Sequence, residues 1–240
     1  MAARVARPGC ESVMVTREER LSGIGMTSTR TRARMVERLR ADGIRDEVVL
    51  AAMNAVPRHI FVDEALAIRA YEDTPLPIGS GQTISQPWVV ARMTELARAA
   101  RDLTRVLEIG TGCGYQTAVL AQIAAEVYTV ERIGALVAKA RRNLQALKAK
   151  NVRLMHGDGT SDLGEDLQCD AIVVTAGTTH VPPGLLKYLG AGGRLVLPLT
   201  QHGEHGDGVQ RLTVIERGTT GYREQTFDAV RFVPLLPGIA

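Results

Sequence analysis

Apolar residues recur along this chain with two different periods, and the change from one to the other divides it. Between residues 30 and 70 they return every three or four positions. Met35, Val36 and Leu39 share one face, and after Gly43 so do Val48, Val49, Ala52, Met53 and Val56, until Pro57 stops the pattern. Two short helices packed as a cap are predicted there. Beyond residue 100, short β-branched runs alternate with amphipathic stretches, and strands are predicted at 106–109, 127–130, 152–156, 171–174, 194–199, 212–215 and 227–233. The run at 171–174 is continuously apolar, as a parallel strand buried on both faces must be. A helix starts at Pro87 with Trp88, Met93, Leu96 and Ala97 as its apolar positions. Another follows Glu131, with Ile133, Leu136, Val137, Ala140, Leu144 and Leu147 on one stripe. Seven strands mostly alternating with helices predict an α/β fold: a doubly wound, mostly parallel seven-stranded Rossmann-like sheet with an N-terminal helical cap.

A chain of 240 residues buries about 70% or more of its unfolded surface without staples. Residues 1–25 are Arg-rich, lack the apolar h-region of a secretory signal and show no helical period, so they read as a disordered extension, or as a start set too early with Met26 the working one. Residues 26–240 then form one domain, with the cap and a polar loop over 26–87 and a cofactor-binding core over 88–240. The formal charge of +3 is too small to imply a nucleic-acid partner, and the Arg141–Arg142 pair reads as a solvated helix face. No apolar run reaches the length of a membrane span. Cys10, Cys113 and Cys169 are odd in number and scattered, which suits a reducing, cytoplasmic setting, with Cys113 a small residue that fits its loop.

The chemistry concentrates between residues 105 and 132. A strand ending in Glu108 and Ile109 passes into Gly110, Gly112 and Gly114, then a helix, then a second strand ending in Glu131. Glycines there let a backbone approach a ligand, and a carboxylate at the end of the second strand can accept both hydroxyls of a ribose. The dinucleotide fingerprint G-x-G-x-x-G fails, because the third glycine comes one residue early and Tyr115 stands in its place. Glu108, expected at the mouth of its strand, would repel a pyrophosphate and suit a ligand whose tail carries an ammonium and a sulfonium. E-x-G-x-G-x-G resembles the first motif of Rossmann-like S-adenosylmethionine-dependent methyltransferases. Asp158, between two glycines at the end of the third strand, reads as an acceptor for the adenine amine or as a helix N-cap.

Residues 73–87 hold Ser80, Gln82, Thr83, Ser85 and Gln86 without an acid or base after Asp73, and such a loop can receive an anion. His202, Glu204, His205 and Asp207 lie in a Gly-rich link and not on a helix face, so no metal site is expected. His156 reads as a packed residue at a strand end. His180, after the fourth strand, is the one candidate general base, and the loop TAGTTHVPP around it has no acid. An acceptor that is already a carboxylate fits this poverty of bases.

GQTISQP followed by VARMTEL, VLEIGTGCGYQTAVLA, VERI, HGDG, DAIVVTA, GGRLVLP and RFVPL resembles, in that order and from about Arg34 to Gly238, the protein-L-isoaspartate O-methyltransferases. GQTISQP is the most specific of these. The resemblance implies methylation of the free α-carboxylate of L-isoaspartyl residues in damaged proteins and peptides, with S-adenosyl-L-methionine as donor, S-adenosyl-L-homocysteine as product and a succinimide forming from the ester. A monomer is the expectation, although no residue pattern in the chain reports its oligomeric state. It makes Ser85 the active-site serine, with Thr83, Ile84 and the main chain near Val233 against the substrate. Gln86, Pro87 and Trp88 would border the cofactor, and Glu108, Gly110, Thr111, Gly112 and Gly114 its methionine part. Glu131 and Arg132 would hold the ribose side and Asp158 and Gly159 the adenine, with Thr175 completing the cofactor set. Trp88 stands where the family more often carries Tyr or His.

Overall fold

The computed structural model describes Thr16 and residues 21–164, 167–202 and 208–240. Most of the expected extension over 1–25, and the cluster of Glu204, His205 and Asp207, therefore lie outside the described residues. After a small hairpin of β1 (Leu76–Gly79) and β2 (Gln82–Ile84), the strands are β3 (Leu103–Ile109), β4 (Ala124–Glu131), β5 (Val152–His156), β6 (Cys169–Val174), β7 (Leu189–His202), β8 (Gly208–Arg217) and β9 (Tyr222–Val230). The last seven form one sheet in the order β5-β4-β3-β6-β7-β8-β9. From β5 to β7 the pairs are parallel, and β8 runs antiparallel to both neighbours. The chain leaves β3 toward β4 and β5, then returns to its other side with β6. The ends of β3 and β6 are thus the topological switch point, where open α/β sheets bind ligands.

Alternation along β3 and β6 sorts side chains onto the two faces of the sheet. Val106, Val127, Ala171 and Val173 pack on one face against Val89, Met93, Leu96 and Ala97 of α3 (Pro87–Arg98). Leu107, Ile109, Ile172 and Val174 pack on the other with Leu185 and Tyr188. The cap consists of α1 (Thr29–Ala41) and α2 (Glu47–Ala55). Met35, Leu39, Met53 and Phe61 share a cluster with Cys113, Tyr115 and Ala118 of the glycine loop and α4 (Tyr115–Leu120), and with Leu136 and Ala140 of α5 (Gly134–Ala146). One further helical turn, α6 (Pro183–Leu186), starts at the expected proline pair. Among the described residues no helix is long and apolar enough to cross a membrane.

Three local expectations change. Val48, assigned to the buried stripe of α2, is 43% exposed, because it sits roughly 100° round the helix from Val49 and off the stripe that Val49, Ala52 and Met53 define. Residues 76–84, read as an aperiodic loop, form the hairpin β1–β2, with Leu76 and Ile78 buried between the exposed Pro77 and Gly79. The last strand begins five residues earlier than its apolar run. Its first residues, Tyr222 to Gln225, pair with β8 across a tight turn yet remain exposed, so polar side chains are tolerated there.

The cap is tied to the core by charge as well as by packing. Arg98 of α3 holds Asp46 at 2.5 Å, with the two side chains 11% and 9% exposed, while Asp46 also accepts the Val48 N–H as the N-cap of α2. Glu95 accepts the main-chain N–H groups of Arg45 and Asp46. Arg98→Ala strands a nearly buried carboxylate. Since its cap bonds remain, the expected loss is about 2 kcal/mol, below the full value for breaking a buried pair, or about 4–8 °C in melting temperature for a chain of this size. Thermal unfolding checks it, and an unchanged midpoint would mean the pair contributes nothing to docking the cap.

Candidate active site

The loops after β3 and β6 cross at close range. Gly110 has φ of +97°, and a Cβ on it would lie 2.4 Å from Thr175 Oγ1, the hydroxyl that donates to the Gly110 carbonyl at 2.5 Å. Gly159 is required for a different reason, since a Cβ there would come 2.4 Å from Cγ2 of Ile109. Above this floor opens a cleft walled by Gly110, Thr111 and Gly112, by Glu131 and Arg132 at the end of β4, and by Gly159 and Thr175. Gln82, Thr83 and Ile84 of β2, Ser85 after it, and Val233 line the same cleft. The hydroxyl-rich segment and the glycine loop therefore face one space.

Glu131 is 5% exposed, and each of its oxygens accepts one main-chain N–H, Oε2 from Gly112 at 2.8 Å and Oε1 from Ile133 at 2.9 Å. A carboxylate offers about four acceptor sites, so the clamp fixes the group and leaves a lone pair on each oxygen. That is what a vicinal diol needs. A glycine floor without side chains, a fixed acid with spare acceptors and neutral hydroxyls on the same cleft fit a nucleoside whose tail ends near a second binding surface.

Six of the expected cofactor residues are not on the wall. Gln86 and Trp88 turn to Asp73, whose Oδ1 accepts the Trp88 N–H at 2.8 Å and whose Oδ2 accepts from Gln86 Nε2 at 3.2 Å. Asp73 thus caps α3 from across the hairpin, replacing a cap that Gln86 does not supply, and Pro87 is simply the first residue of that helix. The Trp88 indole donates to the Asp42 carbonyl. Gly114 sits at the N-terminus of α4 against Ala140 and Leu144.

Glu108 is not at a mouth but fully buried. Its carboxyl accepts the hydroxyls of Thr117 and Thr129 behind the glycine loop. Burial pushes it up to about 8, the two hydroxyls oppose this, and the charge of Glu131 adds to it. Asp158 accepts from the Thr160 N–H and hydroxyl and from the Gly238 N–H. It closes a turn and clasps the C-terminal tail, and no helix follows it in the described residues to 164. Burial opposes its ionisation, but these bonds outweigh it and hold the carboxyl below its ordinary value.

His180 is exposed and absent from the wall, so no general base comes from there. His156, expected to be packed, is exposed with its Nε2 near the Arg132 carbonyl. Cys113 is buried against the cleft with its thiol pushed up by burial to about 11, an inert state. Among the described residues no group of three or more His, Cys, Asp or Glu is placed to hold a metal ion.

The tail supplies wall residues that nothing in VPLLPGIA announces: Pro234, Leu235 and Leu236. It is anchored by Arg132 donating to the Gly238 carbonyl at 2.8 Å and by Gly134 donating to that of Ala240 at 2.8 Å. Gln116 and Ile133 also reach the cleft. Their positions just after the glycine loop and just after Glu131 are the signals that point to them.

Compared with known proteins, residues 30–239 match the family model described as protein-L-isoaspartate(D-aspartate) O-methyltransferase. The chain belongs to that family. The protein-L-isoaspartate O-methyltransferase of Dechloromonas aromatica is 60% identical over 219 residues, 91% of this chain and 99% of the relative. That of Methylobacillus flagellatus is 56% identical over 222 residues, covering 91% and 97%. A Plasmodium falciparum crystal structure, described as a methyltransferase of the same name in complex with S-adenosyl-L-homocysteine, aligns with a TM-score of 0.73 at 27% identity, over 85% of this chain and 98% of that one. A second solved protein-L-isoaspartate O-methyltransferase gives 0.74 at 27% identity, over 85% and 65%. The seven-stranded, mostly parallel sheet is the methyltransferase fold of these structures.

Proposed function

We infer that this chain transfers a methyl group from S-adenosyl-L-methionine to the free α-carboxylate of L-isoaspartyl residues in damaged proteins and peptides, giving S-adenosyl-L-homocysteine and an ester that closes to a succinimide. The observation that carries this reading is the meeting of residues 82–85 with the glycine loop and Glu131 around one cleft. When bound, the donor supplies a sulfonium methyl open to in-line displacement, a reaction that depends chiefly on alignment. Glu131, with Arg132 beside it, holds the ribose; residues 110–112 and Thr175 face the methionine part, and Gly159 leaves room for the adenine. Thr83 and Ser85 donate to the acceptor carboxylate while Ile84 and Val233 flank it. That carboxylate is ionised at neutral pH and attacks without a base, which accords with His180 lying off the cleft. On the same reading residues 26–240 work as one domain and the protein acts as a cytoplasmic monomer, without nucleic acid or membrane. The buried free thiols of Cys113 and Cys169 suit a reducing compartment.

Tritiated-methyl transfer to an isoaspartyl peptide and to its aspartyl twin tests the reading. Base-labile label on the first alone is expected. Equal labelling would point to a methyltransferase of carboxylates in general, and no labelling to a nucleoside-binding protein. Ser85→Ala removes one hydrogen bond to a charged group, worth roughly 1.5–3 kcal/mol, so kcat/KM should fall roughly ten- to hundredfold. The affinity for S-adenosyl-L-homocysteine should stay as it was, and its collapse would remove Ser85 from the acceptor side.

A further inference from the structure

Glu108 lies one residue before the end of β3, between Thr129 of β4 and Val173 of β6. Its Oε2 accepts the hydroxyls of Thr117, from α4, at 2.5 Å and of Thr129 at 2.6 Å. Oε1 is buried with no hydrogen-bond partner. The Thr129 hydroxyl lies 2.6 Å from that of Thr111, which is on the cleft wall. A chain of hydroxyls thus joins the cleft to a carboxyl that solvent does not reach. Among the described residues no Lys, Arg or His forms an ion pair with it, and the titratable group that acts on it from the neighbouring strand is another acid, Glu131.

S-adenosyl-L-methionine and S-adenosyl-L-homocysteine present the same adenine, ribose, ammonium and carboxylate, and differ by one methyl and one positive charge. The clamp at Glu131 cannot separate them, and charge is what remains. We propose that Glu108 separates donor from product: its carboxyl holds a proton in the free protein and releases it to solvent when a ligand bearing the sulfonium enters the cleft. This rests on the donor assignment made above. A buried carboxylate with no counter-ion and a like charge nearby favours its neutral form, in line with the upward shift to about 8. Oε2 is occupied by two hydroxyl donors, so Oε1 carries the proton. A cation in the cleft is the missing counter-ion and reverses the balance. Transfer of the methyl to the acceptor carboxylate leaves a neutral sulfur, and Glu108 takes a proton back from solvent.

The sign follows from linkage. If binding expels a proton, donor affinity rises with pH, by roughly tenfold per unit until the free carboxyl is itself ionised. At pH 6.5 the α-ammonium of either ligand keeps its proton and adds nothing to the count. Titration calorimetry of the full chain at pH 6.5, in two buffers of different ionisation enthalpy, counts the protons directly. Close to one released with S-adenosyl-L-methionine and none with S-adenosyl-L-homocysteine is expected. The donor-to-product preference should climb to about pH 8 and then level. In Glu108→Gln both the release and the slope should vanish. Thr117→Val, which deletes one hydroxyl donor to Oε2, should move the plateau to higher pH, giving a second reading if the glutamine variant does not fold. Equal proton counts for the two ligands, or release that survives in Glu108→Gln, would overturn the proposal while leaving the methyl-donor reading intact. No binding of either ligand would overturn both.

Discussion

Glu108→Gln is expected to rise in stability relative to the parent chain from pH 5 to pH 8 and then to hold a constant difference. Burial, with a smaller push from Glu131, lifts the folded carboxyl from an ordinary 4.5 to about 8 against the pull of the Thr117 and Thr129 hydroxyls. Between those values the folded chain keeps a proton that the unfolded chain has lost, so folding stability falls as pH rises through this window. Above it both states are ionised and the full cost is present. A shift of this size corresponds to roughly 5 kcal/mol, or about 10–20 °C in melting temperature for a chain this long. Glutamine keeps the acceptor at Oε2 but puts an unpaired amide nitrogen at Oε1, a fixed cost of about 1–3 kcal/mol that does not vary with pH. The test is therefore the change in the difference between the two chains across a pH series of thermal melts. A difference that stays constant from pH 5 to 9 would mean that Glu108 titrates alike in the folded and unfolded chain.

That behaviour was not legible in the sequence, although the residue was. The motif E-x-G-x-G-x-G drew attention to Glu108 as a ligand for a cationic tail, but a carboxylate in a strand that pairs on both sides takes its orientation from the alternation of that strand. Thr117 and Thr129, nine and twenty-one positions away, then claim it. The placement of Gly110, Glu131 and Gly159 on the cleft was readable because strand ends lie at the ligand-facing edge of such a sheet, where the backbone itself fixes the direction. The contacts that Asp158 and Trp88 make were hidden for the opposite reason. Their partners, Gly238 and Asp42, lie 80 and 46 positions away, and no local period reports such contacts. The hairpin at residues 76–84 had a signal that its prolines and glycines masked, the alternation of Leu76 and Ile78 with Pro77 and Gly79. The doubly wound, mostly parallel sheet, by contrast, followed from the alternation of strands and helices, since apolar runs bounded by turns leave few ways to cover both faces, while its strand order came only with the structure.

Replacing Glu131 with alanine should remove most of the affinity for the methyl donor. The carboxylate is held by the Gly112 and Ile133 N–H groups, so its two free lone pairs are aimed at a fixed place. Two hydrogen bonds from ribose hydroxyls to a charged group are worth roughly 3–5 kcal/mol together, a weakening of about a hundred- to a few thousandfold. Calorimetric binding of S-adenosyl-L-homocysteine measures it. The parent chain should lose most of this affinity toward analogues lacking the 2′- or 3′-hydroxyl, and the alanine variant should bind the parent ligand and these analogues alike. A variant that still prefers the full ribose would remove Glu131 from that contact. Glu131→Gln adds a second, independent consequence. It deletes the like charge that helps raise Glu108, so the upper edge of the pH window over which the parent chain loses stability should move downward. On the proposed reading, the acid at the end of β4 sets both the grip on the nucleoside and the pH at which its buried neighbour gives up a proton.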